Sequence, residues 1–178
     1  MTKFSMASLL SRVARFKDLR SSSEAFADTR IPEYQREIYN IIGRGVTEDA
    51  GLEPMIADNR DFNLTMMKSD PGKGSSQHDH ETIECFVALS GRWAVTLGPE
   101  GEEEVILEPF DGFSVPPGVM RGLRNAGTEP AHILAILGGT DPGKVLWPQE
   151  TIDEAKKHGI EFDVSGDLVY RGDDAESP

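Results

Sequence analysis

The sequence predicts an all-β fold, a sandwich or barrel of short strands, with a helical N-terminal extension and a short C-terminal helix. Three observations lead there. Between about Phe62 and Leu146, short runs of apolar residues carry the alternation or continuity expected of strands. Turn residues punctuate these runs at regular spacing, as in Asp70-Pro71-Gly72, Gly98-Pro99 and Pro116-Pro117-Gly118. Outside this stretch the apolar period becomes helical. The chain therefore divides into a helical extension (1–60), a β domain (61–147) and a terminal helix with its tail (148–178).

In the first part, Met6, Leu9, Leu10, Val13, Phe16 and Leu19 are spaced like one helical face, which predicts a helix over 7–19 broken by Ser21-Ser22-Ser23. Residues 1–20 carry five basic side chains and one acidic. A basic amphipathic helix suits a transit peptide or a membrane surface. This stretch lacks a secretory apolar core and a cleavage site, so it reads as a helix packed on its own domain or on a partner subunit. Pro32 is suited to a first helical turn. It opens a second predicted helix with Ile38, Ile41 and Ile42 as contacts, closed by Gly43 and Gly45.

The β domain begins with Phe62–Met67. Later strands are predicted at Arg92–Leu97, Val105–Leu107, Asp111–Val115, Arg121–Asn125 and His132–Leu137. Glu102, Glu103 and Glu104 read as a solvated hairpin tip. Trp93, Phe86 and Phe113 read as core. In the last part, Thr151 as N-cap, Glu154 in the capping-box position and Gly159 as stop predict a helix over 151–158. Gly172 to Pro178 reads as a solvated end.

Charge and cysteine content narrow the function classes. The chain holds 31 acidic residues against 18 basic, a formal net charge of −13. That repels phosphates and argues against nucleic acid as partner. The single cysteine, Cys85, excludes an internal disulfide framework and fits a reducing, cytoplasmic setting. No apolar run reaches the ~18 residues of a membrane span.

The most informative residues are His78, His80 and Glu84, in a strand-like run framed by Gly72 and Gly91. Residues two apart on a strand share a face, so all three can converge. Two imidazoles and a carboxylate suit a first-row transition metal with positions left open for substrate or oxygen. Asp79, between the histidines, should face away and serve at most behind the ligands. Cys85 has the opposite parity and reads as packing.

These residues resemble the cupin superfamily. The first cupin motif has the form G-x5-H-x-H-x3-E-x6-G, and Gly72, His78, His80, Glu84 and Gly91 fill every fixed position. The second has the form G-x5-P-x-G-x2-H-x3-N. Pro116, Gly118 and Asn125 match it, but Phe110 replaces the glycine and Arg121 the histidine. The resemblance implies a jelly-roll β-barrel of six or more strands. It also implies that His78, His80 and Glu84 are metal ligands. Arg121 cannot complete the set, because a guanidinium stays protonated.

Three readings follow from that substitution. In the leading one the protein is a metal-dependent enzyme, a dioxygenase of the non-haem iron type. The metal is Fe(II), with Mn, Ni, Cu or Zn also compatible. Its substrate is a small anionic or enolisable molecule, and Arg121 is the anion contact. In the second, Arg121 pairs with Glu84 and no metal is needed, as in cupin isomerases, epimerases and small-molecule-binding modules. In the third, His132 supplies the missing imidazole. A homodimer is expected, with the helical extension covering sheet edges.

Overall fold

The computed structural model describes residues 5–164 and 168–170. Ten strands build two five-stranded antiparallel sheets. One sheet holds β1 (Glu37–Ile42), β2 (Phe62–Ser69), β4 (Glu84–Ala88), β7 (Gly112–Val115) and β9 (Ala131–Gly138), in the order β1-β2-β9-β4-β7. The other holds β3 (Gly74–His80), β5 (Trp93–Leu97), β6 (Glu103–Leu107), β8 (Arg121–Asn125) and β10 (Val145–Leu146), in the order β10-β3-β8-β5-β6. Strands β11 (Ile160–Phe162) and β12 (Leu168–Tyr170) form a separate hairpin. The two large sheets close as a jelly-roll barrel around Phe86, Trp93, Val95, Val115, Ile133 and Leu137, all essentially inaccessible to water.

The strand alternation read from the sequence recurs in this core. Glu84, Phe86 and Ala88 of β4 are buried, whereas Cys85 and Val87 between them are only partly so. Cys85 thus lies on the face away from Glu84. On β9, Ile133, Ala135 and Leu137 line the barrel interior, which turns His132 outward.

The two helices are short. Helix α1 covers only Met6–Leu10 and buries no residue. A helix this short has little stability without packing, so the predicted 7–19 helix ends early. Phe16 packs instead on the rings of Tyr39 and His132, 5.8 Å from each. The second predicted N-terminal helix is corrected more sharply. Pro32 opens only a 3-10 turn over Pro32–Tyr34, and Ile38 to Ile42 belong to β1. Its β-branched residues favour an extended chain, and β2 offers a ladder from Glu37↔Lys68 to Ile42↔Leu64. A bulge between Asn40 and Ile42 shifts the register, so helix-like spacing coexists with a strand.

Helix α2 covers Gln149–Lys157 and starts two residues before the predicted N-cap. Pro148 occupies the cap without a side-chain bond, and Glu154 pairs with Lys157 at 2.7 Å. Gly159 ends the helix region at a φ of +78°, as its position predicts. The predicted tail at 172–178 lies outside the described residues. No helix among the described residues is long and apolar enough to cross a membrane.

The second motif's lost glycine leaves a mark. Phe110 takes a φ of +77°, the only described non-glycine residue in the left-handed region, and is 82% exposed. That conformation costs an L side chain roughly 1–2 kcal/mol. The backbone still makes the turn, with Phe110 N–H donating to the Ala88 carbonyl at 2.7 Å.

Candidate functional site

Strand β3 carries His78 and His80, and β4 carries Glu84 from the opposite sheet. Residues 81–83 join the two strands, so the turn between sheets brings the three side chains together. One ligand atom from each lies within 4.8 Å of the others, and all three residues are buried. His78 and His80 meet edge to face at 4.9 Å.

The local bonds prepare these groups for a cation. His78 Nδ1 lies 2.8 Å from the Ser76 carbonyl oxygen. A carbonyl only accepts, so that nitrogen carries the proton and the Nε2 lone pair is free. Burial, then His80 and Arg121, hold the His78 pKa well below the ordinary value. Burial and Arg121 hold His80 down to about 3. Both imidazoles are therefore neutral near pH 7, the form that donates to metals. The 3.6 Å approach of His80 Nε2 to Glu84 Oε2 is consequently a contact of a neutral imidazole with a carboxyl oxygen, not an ion pair. Burial raises the Glu84 pKa, and Arg121 opposes the rise.

Arg121 sits fully buried on β8, opposite His78 in the ladder. Its Nε donates to Glu84 Oε2 at 3.0 Å. Its Nη1 donates to Asp79 Oδ1 at 2.8 Å and to the Val119 carbonyl at 3.0 Å. Its Nη2 is buried without a hydrogen-bond partner. Arg121 is thus held between two carboxylates, the arrangement of the second sequence reading, and is absent from the cavity wall beside the histidines.

Asp79 completes this cluster. Its Oδ1 also accepts from Gly118 N–H at 3.1 Å. Gly118, at a φ of +77°, ends the Pro116-Pro117-Gly118 turn, so the second motif's turn docks onto the first motif's strand. Parity alone kept Asp79 away from the histidines; only the fold shows that it reaches Arg121.

His132 does not join the site. It lies outside the barrel against Phe16, with its pKa lowered by burial and by Lys68. His158 caps the end of α2, its Nε2 3.4 Å from Glu154.

Two further polar anchors support the histidines and escaped the sequence reading. Asp28 accepts from Arg36 Nη2 at 2.7 Å and from Ser76 N–H at 2.9 Å, tying the 24–31 segment to β3 just before His78. Glu48 accepts from Trp147 Nε1 and from Ala27 N–H, both at 2.8 Å. The Trp147 ring lies 5.3 Å from that of His78. These partners lie as far as 99 positions apart, and no local spacing announces them.

A cavity of about 60 Å³ adjoins His78, His80 and Glu84 inside the barrel. Its remaining wall is mainly hydrocarbon, from residues such as Phe26, Phe86, Leu123, Leu137 and Trp147.

Residues 65–137 match the cupin domain family. The chain matches no curated protein. Among solved structures it is similar to the polyketide cyclase RemF from Streptomyces resistomycificus, at 13% identity and a TM-score of 0.56, covering 81% of this chain and 92% of that one. It is similar to an RmlC-like cupin from Shewanella frigidimarina, at 13% identity and a TM-score of 0.50, covering 73% and 89%. It also resembles the cupin domain of Schizosaccharomyces pombe Cnp3, at 12% identity and a TM-score of 0.51, covering 71% and 73%. At these identities the likeness is one of fold.

Proposed function

Residues 65–137 are a cupin domain, and from that premise we propose a metal-dependent enzyme, a dioxygenase of the non-haem iron type, acting on a small enolisable molecule. The observation that carries this reading is the convergence of His78, His80 and Glu84 within 4.8 Å, buried and with both imidazoles neutral. This donor set fits a divalent transition metal. When bound, such a metal supplies a Lewis acid and, as Fe(II), a centre that activates oxygen.

The chain's own residues do the rest. Ser76 fixes the His78 tautomer through the 2.8 Å bond at Nδ1. Arg121 orients Glu84 by donating to Oε2, the oxygen that also lies 3.6 Å from His80 Nε2. A guanidinium beside a metal carries a cost. At ~5 Å and an effective dielectric of ~20, each unit of metal charge repels it by roughly 3 kcal/mol. Asp79 offsets that cost, because Arg121 answers to two carboxylates rather than one. The apolar wall offers water few polar partners beside the reacting end.

The test is elemental analysis of protein purified without added metal. The expected result is near-stoichiometric transition metal in the wild type, lost together with oxygen-consuming activity in His78→Ala and Glu84→Ala. Full activity in metal-stripped wild type would defeat the reading. One observation favours a second reading, a metal-free isomerase or binding module: the Arg121–Glu84 pair is already formed at 3.0 Å. Wild-type protein that retains no transition metal would select it.

A further inference from the structure

The cavity beside the histidines is largely hydrocarbon, and apart from the imidazoles and Glu84 the polar groups of its wall are already engaged. Arg36, the only cation in its wall, gives Nη2 to Asp28 at 2.7 Å and Nη1 to the Tyr34 and Gly74 carbonyls. Ser75 Oγ accepts from Leu123 N–H at 3.1 Å, and Thr65 Oγ1 donates to Asn40 Oδ1 at 3.3 Å. Arg121 stands outside the wall, between Glu84 and Asp79. Arg121 Nη2 is unpartnered but lies outside this wall, so a carboxylate or phosphate entering here would meet no free cation along it, and burying an unpaired charge is strongly unfavourable.

Size is the second constraint. About 60 Å³ is far below the ~300–1,000 Å³ typical of small-molecule sites. Most of the wall stands on strands paired along both edges and cannot yield cheaply. Trp147 differs. It is only partly buried, and it lines the cavity while also packing against the second hydrophobic cluster of Ala27, Ala155 and Ile160. It follows β10, a two-residue strand paired only to His80 and Asp79 of β3. Beyond that pairing, its ring is held by one bond, from Nε1 to Glu48 Oε1. Its ring neighbours are His78 and Phe26, the latter at 6.4 Å and itself on an irregular segment.

We propose that this cavity takes an uncharged, largely hydrocarbon ligand bearing an oxygen at its histidine end, and that Trp147 sets the ligand's size. The proposal deepens the functional reading above and rests on it for which end of the ligand reacts. The class includes phenols and enols with a hydrophobic body, and it excludes sugar acids and sugar phosphates. Trp147 acts by occupying space, and Glu48 holds it there.

Calorimetric titration of the full chain with phenol, 2-naphthol and 2-naphthoate at pH 7 tests this. Phenol and 2-naphthol are neutral there, and 2-naphthoate is the anion of the same ring size. Trp147→Ala should bind 2-naphthol at least tenfold more tightly than wild type, with phenol changing less than threefold. It should also prefer 2-naphthol to 2-naphthoate by at least tenfold. If Trp147→Ala does not fold, Trp147→Phe, which keeps a ring on the same segment, should shift the 2-naphthol to phenol ratio in the same direction. An unchanged ratio in the variant that folds, or equal binding of 2-naphthoate, overturns the proposal. Each titration is run on metal-stripped protein as well. Apolar selectivity that persists without metal separates this inference from the enzyme reading, which stands or falls on metal content and activity.

Discussion

Two carboxylates stand in or beside the candidate site, Glu84 within it and Glu48 behind Trp147, and the protein treats them differently. Glu84 is buried on a central strand with Arg121 at 3.0 Å and Asp79 behind it. Glu48 is partly buried in the irregular segment after β1, with two N–H donors and no cation of its own. Arg36 lies near enough to lower the Glu48 pKa slightly, but it is committed to Asp28. Burial therefore wins at Glu48 and pushes its pKa up to about 7. At Glu84 burial raises the pKa too, but that carboxylate has a guanidinium partner, Arg121, that opposes the rise. One held only by neutral donors sits near the point where it changes charge under mild conditions.

The largest expected effect comes from removing the cation that makes the difference. Arg121→Leu leaves Glu84 and Asp79 buried or half-buried without their partner. Breaking such a pair from one side costs about 3–5 kcal/mol, which denaturant titration measures directly. A loss below about 1 kcal/mol would show that Arg121 does not anchor the cluster.

The next effect belongs to Glu48. Its folded pKa, about 7, lies above its ordinary 4.5. The folded state therefore binds the proton more tightly, and this group's contribution to stability is full below pH 4.5 and lost as the pH rises through 7. The window corresponds to up to about 3 kcal/mol. His78 and His80 act with the opposite sign. Their pKa values are lowered, so their contribution is present above about pH 6.5 and is lost as pH falls. Comparing wild type with Glu48→Gln at pH 5 and pH 8 cancels the histidines. Wild type should gain stability relative to the variant at the lower pH, and a pH-independent difference would refute the assignment.

The smallest effect sharpens the contrast at Arg121 itself. Arg121→His replaces a held cation with a neutral donor at the position where the second motif carries its histidine. Divalent metal should bind about tenfold more tightly, a change of about 1.4 kcal/mol. Calorimetry with Zn²⁺ reads it, and no gain would mean that position 121 does not reach the ligand set.

The fold and the site differ in how far the sequence disclosed them. His78 and His80 were legible because strand parity is a local rule that β3 obeys; Glu84 stands on β4 of the opposite sheet and reaches them through the turn at 81–83. The turn at Pro116-Pro117-Gly118 was legible for the same kind of reason. Residues 37–42 misled, since three isoleucines fit a helical face and an irregular strand equally well. Only pairing with β2 decides between them. The C-terminal helix was found two residues late because Pro148, not a side-chain cap, opens it.

By itself the sequence determined the β barrel, the candidate triad of His78, His80 and Glu84 and the fact that a cation stands where the second motif carries its histidine. These follow from period, parity and residue chemistry, which neighbours along the chain already contain. Tertiary structure alone decided what Arg121 holds, why Asp79 matters and how Glu48 fastens Trp147 over the histidines. Those contacts join residues 37, 42 and 99 positions apart. Their energies depend on burial and distance, which exist only after the sheets close.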